Sequence, residues 1–259
     1  KEQCDVLINS NCLRNRGVVF TASIDGELYV ILPEELRVSL KEKITKEVMA
    51  AAREKSDLIK AMAGSTYYYG VISYSAIREM LEAAFKIELT DEKIKELILI
   101  GEELGYDYVI EEDGLCHIDV ENSSKIAKLQ KKNKKNICKF DKKTLIKAGV
   151  PDFMEEHKCG KNLQRALGEM FVIDKEILKD EMDSFTISIK NEMPMEKAID
   201  LFLDAYEIDT EEEKNIFAYE LEHLAKSIKR WSLNGYSENE ITKLEQRVVN
   251  EVKIGRNDP

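Results

Sequence analysis

Thr66-Tyr-Tyr-Tyr-Gly-Val-Ile72 is the stretch on which the fold turns. Its aromatic and β-branched residues favour extended backbone, so it reads as a short strand between two helices. On its N-terminal side, Ile44, Val48, Ala51, Leu58, Ile59 and Met62 mark one face of a long helix that should end near Gly64. On its C-terminal side, Ser73 can cap a helix carrying Ile77, Met80, Leu81, Ala84 and Phe85 inward. Thr90 can cap another, with Asp91 and Glu92 in its first turn and Ile94, Leu97, Ile98 and Gly101 on its inner face. Gly105-Tyr-Asp-Tyr-Val-Ile-Glu-Glu-Asp-Gly-Leu-Cys-His-Ile118 then reads as a β-hairpin turning at Asp113-Gly114.

That order, helix, strand, helix, helix, hairpin, resembles a winged-helix unit over residues 41–120. A similar hairpin stands earlier, in Gly17-Val-Val-Phe-Thr-Ala-Ser-Ile-Asp25-Gly26-Glu-Leu-Tyr-Val-Ile-Leu32. In both, a Gly precedes the Asp-Gly pair by eight residues, which hints at a repeat. Residues 1–40 are then expected to be the end of a first winged-helix-like unit, with a helix near Cys4–Leu13.

From 121 to 150 the composition turns to lysine, and the segment reads as a basic linker with one short helix around Ser124–Lys132. Residues 151–252 read as a helical domain. Met195, Ala198, Ile199, Phe202 and Leu203 recur at helical spacing, and Thr210 with Glu213 is a candidate capping box. Asn234-Gly235 should end the helix that follows, and Ser237 with Glu240 should start another. Phe185-Thr-Ile-Ser-Ile189 reads equally as a strand or a buried turn. The fold class expected is mainly α with small β-hairpins.

Charge narrows the function. The 259 residues carry a net charge of −11, which opposes general affinity for nucleic acid or anionic membrane. Ten lysines between Glu121 and Lys147 face only Glu121 and Asp141, so an acidic body wears one basic belt. Lys131, Lys132, Lys134 and Lys135 form its centre and are the candidate contacts for RNA or the ribosome, with Phe140 the one ring available for stacking. DNA reading is disfavoured. The helix after Thr90 has five acids against Lys93 and Lys95, and the second hairpin turns through Glu111-Glu112-Asp113.

Tyr67, Tyr68 and Tyr69 are a candidate partner surface, although tyrosines so placed also serve to cover a core. Five cysteines form no paired framework and suit a reducing, cytoplasmic setting. Cys116-His117 and His157-Lys-Cys159 supply zinc-ligand types at no zinc-finger spacing. No Gly-rich phosphate loop, Gly-x-Ser-x-Gly elbow or His-Glu-x-x-His helix occurs, so no catalytic residue, metal ligand or cofactor is assigned within this chain. No apolar run approaches the ~20 residues that span a bilayer. The opening Lys1-Glu-Gln, with neither initiator Met nor signal pattern, reads as part of something longer.

The chain closes on Gly255-Arg256-Asn257-Asp258-Pro259. This pentapeptide resembles the lead-in to the SEC-C motif, found at the C-terminus of the SecA translocase and in many bacterial proteins. Residues 253–259 would be the start of such a tail. The resemblance implies zinc bound by Cys and Cys or His residues in the full-length protein, and docking rather than catalysis; no ligand falls within these residues. Trp231-Ser-Leu-Asn-Gly-Tyr-Ser-Glu-Asn-Glu240 resembles a segment preceding such tails in proteins of low-GC Gram-positive bacteria, which also carry the Tyr-Tyr-Gly-Val-Ile element. The expectation is a non-catalytic adaptor with a protein partner, the other reading being a winged-helix nucleic-acid-binding regulator.

Overall fold

A computed structural model describes residues 13–254, apart from 15, 134, 135, 172, 207 and 209. The chain is mainly helical with two small antiparallel sheets. The helix expected near Cys4–Leu13 lies almost wholly outside the described residues.

The first hairpin pairs β1 (Phe20–Ile24) with β2 (Glu27–Ile31), Phe20 opposite Ile31 and Ala22 opposite Tyr29. Asp25 and Gly26 both adopt positive φ, +53° and +83°, as a tight two-residue turn requires. Helix α1 (Glu34–Lys43) follows, with Glu34 and Glu35 in its first turn and Lys41 and Lys43 in its last, each matching the helix dipole.

Helix α2 (Lys46–Tyr69) starts at Thr45, whose side chain accepts from the Val48 N–H. It does not stop near Gly64. It runs through Thr66 and all three tyrosines, and only β3 (Val71–Ser73) of the expected extended stretch is strand. Gly64 is a packing residue: a β-carbon there would strike the Leu145 carbonyl. Helices α3 (Tyr74–Phe85) and α4 (Asp91–Glu103) are capped as expected, Ser73 accepting from Ala76 and Thr90 from Lys93. Then come β4 (Tyr108–Ile110) and β5 (Gly114–His117), in the sheet order β3-β5-β4. Gly114 is not the positive-φ turn residue expected of Asp113-Gly114. It pairs with Ser73, and a side chain there would meet the Ile72 carbonyl, so glycine lets β3 and β5 close together.

The segment read as a linker is built into the body. It holds α5 (Ser123–Asn133), with Ile126 buried, and α6 (Lys142–Ala148), which crosses α2 at the two glycines Gly64 and Gly149 and buries Leu145. Surface lysines conceal this in the sequence, where Ile126 stands far from Leu145 and Ala148, the other buried apolar side chains described in this segment.

Five helices complete the described chain: α7 (Lys158–Met170), α8 (Lys175–Lys190), α9 (Met195–Leu203), α10 (Glu211–Ser227) and α11 (Glu238–Ile254). Phe185–Ile189 is neither strand nor turn; it forms the end of α8, with Phe185 and Ile189 buried. Ser237 and Glu240 form a full capping box, each side chain accepting from the other's N–H, while Thr210 caps its helix by accepting from the Glu213 N–H. Helix α10 ends at Ser227, earlier than Asn234-Gly235, which instead form a positive-φ turn (+54° and +82°) in the connection to α11. The buried residues gather in two cores. One joins α2 to α4, the second sheet and α6; the other joins α7 to α10.

Candidate functional site

The C-terminus of α2 leaves carbonyls without intrahelical partners. Thr66 O is taken by the Gly70 N–H. Tyr67 O accepts from two distant side chains, Lys190 Nζ and Trp231 Nε1, each at 2.9 Å. Tyr69 O accepts from Gln130 Nε2 at 2.6 Å, which also reaches the Val71 and Trp231 carbonyls. One helix end is thus capped by residues from α5, α8 and the 228–236 connection.

Glycines permit the closeness. A β-carbon on Gly70 would stand 2.6 Å from the Trp231 ring, and one on Gly235 would stand 2.9 Å from the Tyr69 ring. The Tyr-Tyr-Gly-Val-Ile element and the Trp231–Glu240 segment therefore meet in space. Tyr69 completes the join by donating its hydroxyl to the Cys138 carbonyl, while Cys138 N–H donates to Asn234 O.

Lys190 is 1% exposed. Its ammonium lies 3.2 Å from the centroid of the Tyr67 ring, and burial pushes its pKa down to about 7 against the pull of Glu155, Asp183 and Asp119. Next to it is a polar cavity of about 210 Å³ walled in part by Asp107, His117, Asp119, Asp152 and Asp183. Burial, reinforced by neighbouring carboxylates, raises the Asp107 and Asp183 pKa values; burial alone raises Asp119, which Lys190 partly restores. His117 packs against Trp231 and Tyr67, and its desolvation lowers its pKa to about 3, so it is neutral at pH 7. Among the described residues no group of three or more His, Cys, Asp or Glu stands ready to hold a metal. Cys116 turns its thiol to the His117 carbonyl and Cys159 lies against Ser227 Oγ, so the two cysteines keep separate neighbours.

Tyr67, Tyr68 and Tyr69 are not a surface. They are 4%, 2% and 2% exposed and belong to the first core, Tyr68 stacking on Phe140 at 4.0 Å. Phe140 is occupied by that contact. Lys131 and Lys132 stand exposed in the last turn of α5, where they also complement its dipole; Lys134 and Lys135 lie outside the described residues. The acids of α4 are largely paired within the chain: Asp91 with Arg78, Glu96 with Lys55 and Lys93, Glu103 with Arg16. The turn Glu111–Asp113 between β4 and β5 offers carboxylates and no cation.

The surface that sequence reading missed lies near the start of the described chain. Cross-strand partners in β1 and β2 share a face, so Phe20, Ala22, Ile24, Tyr29 and Ile31 stand together; all but Ala22 are exposed, Phe20 by 55%. In α1, Leu36 and Leu40 follow at four-residue spacing, continued by Ile44 just past its end, and all three are exposed too. Neither element contributes to the two cores. Alternation in the hairpin was readable, but it signals an apolar face without saying whether the face is covered.

The chain matches no protein-family model, no curated protein and no solved structure. No described helix is long and apolar enough to cross a membrane.

Proposed function

We propose that this chain is a non-catalytic interaction protein that docks a protein partner through the bare apolar face of the β1–β2 hairpin. The uncovered row Phe20, Ile24, Tyr29 and Ile31 carries the reading. An isolated two-stranded hairpin is marginal in water and its apolar side gains by being covered. The element order of α2 to β5 and the strand order β3-β5-β4 support a winged-helix-like unit, used here as a scaffold, since its third helix spends most of its acids on ion pairs within the chain and its turn Glu111–Asp113 is acidic. The SEC-C resemblance of Gly255–Pro259 adds a second contact, a zinc-bearing tail in the full-length protein, and the setting we infer is the bacterial cytoplasm.

The test uses full-length protein with its tail, and the triple variant Phe20→Ser, Tyr29→Ser, Ile31→Ser, with helical content checked by circular dichroism. Quantitative affinity capture from the native host should lose the dominant partner at least tenfold. Undiminished capture by the variant overturns the reading. Elemental analysis of the full-length protein, with one zinc expected per chain, tests the tail.

A second reading has its own support in the exposed belt lysines Lys128, Lys131, Lys132, Lys139 and Lys143. RNA or ribosome contact there would weaken by about one power of salt concentration per phosphate engaged, whereas an apolar contact would hold or strengthen.

A further inference from the structure

Between the 147–156 connection, α7 and α8 lies a groove of about 890 Å³, within the size range of small-molecule sites. Phe153, Met154, Ile173 and Leu178 give it an apolar floor. Lys147, Arg165, Lys175 and Lys179 line it with four cations, against Asp152 and Glu156. Glu156 is already paired with Lys161 at 2.7 Å, so the groove is cationic in a chain of net charge −11.

Gly168, in the last turn of α7, also lines it. Its φ is not positive, and a β-carbon there would meet nothing within 4 Å. Neither backbone strain nor packing requires glycine, and glycine weakens a helix. What the missing side chain does provide is an open groove wall.

We propose that this groove binds a single-chain anionic amphiphile, its alkyl chain on the apolar floor and its carboxylate or phosphate held by Arg165 and Lys175. A peptide fits less well, because its backbone N–H and C=O groups would lie against apolar walls unsatisfied. An alkyl chain has no such groups, and the cationic lining meets its one charged end.

The experiment titrates the full chain with a fluorescent long-chain fatty carboxylate and competes it with a matched alkyl phosphate, the matched alkyl alcohol and an acidic peptide. Saturable one-to-one binding is expected, with the alcohol at least tenfold weaker than either anion; the stronger anionic competitor identifies the head group. Gly168→Phe should fill the groove and cost at least tenfold, while Gly168→Ala stays within twofold. Arg165→Glu with Lys175→Glu should also cost at least tenfold, which keeps the test decisive where the phenylalanine variant does not fold. Absence of saturable binding, equal affinity for the alcohol, indifference to both variants, or displacement by the peptide alone overturns the proposal.

Discussion

Lys190 is the residue whose chemistry can be read most directly in solution. Below its folded pKa of about 7 it is charged in both states and carries the full desolvation penalty. Between pH 7 and its ordinary 10.5, the unfolded chain holds a proton that the folded chain has released. Stability therefore rises with pH across that window. Glu155, raised by the same burial, acts in the opposite sense at lower pH. Lys190→Met keeps the apolar stem and leaves the Tyr67 carbonyl to Trp231. Urea unfolding of this variant should be flatter between pH 7 and 10 than that of the parent, and at pH 6 the variant should be at least as stable. A parent curve no steeper than that of the variant between pH 7 and 10 would show that Lys190 is held charged. None of this was readable in the sequence, where Lys190 is one lysine at the end of an ambiguous segment; only the helix phase of α8 turns it inward.

Among the elements, α2 shows both what local pattern conveys and where it stops. Its body was legible from the apolar spacing of Val48, Leu58, Ile59 and Met62, although Ile44, read as part of the same face, stands before the Thr45 cap. Its end was not. Tyr67–Tyr69 have strand-forming side chains, yet they remain helical because α5, α8 and the Trp231 connection supply partners for their carbonyls. Gln130 brings a single amide nitrogen to three carbonyls, those of Tyr69, Val71 and Trp231. Gln130→Leu, close in size, should leave them without that partner and cost about 2–3 kcal/mol. Hydrogen exchange should then quicken in the last turn of α2 and in β3, with α7 to α10 unchanged. Uniform quickening throughout would mean that the cap supports the whole body equally. The same limit explains α6: its lysines read as linker, while the Gly64–Gly149 crossing that seats it depends on two positions far apart in sequence.

At the scale of the molecule, the two cores are tied through one junction. It draws Tyr67 and Gly70 from the first core's helix end, Gln130 from α5, Lys190 from the second core, and Trp231 with Asn234 from the connection. Asn191 strengthens it, donating to the Asp119 carbonyl at 2.8 Å and accepting from the Glu121 N–H at 3.0 Å. Trp231 is the only tryptophan in the chain and is fully buried there, so its emission reports the junction alone. Neither core can unfold and leave it dry, because each supplies a wall of its pocket. In denaturant, the red shift of Trp231 emission should therefore coincide with loss of helical signal in a single transition. Trp231→Ala removes the shared wall, should cost about 3–5 kcal/mol, and should split the helical signal into two steps as each core follows its own stability. Two steps already present in the parent, with emission shifting only in the second, would place Trp231 within one core and reduce the junction to a surface contact.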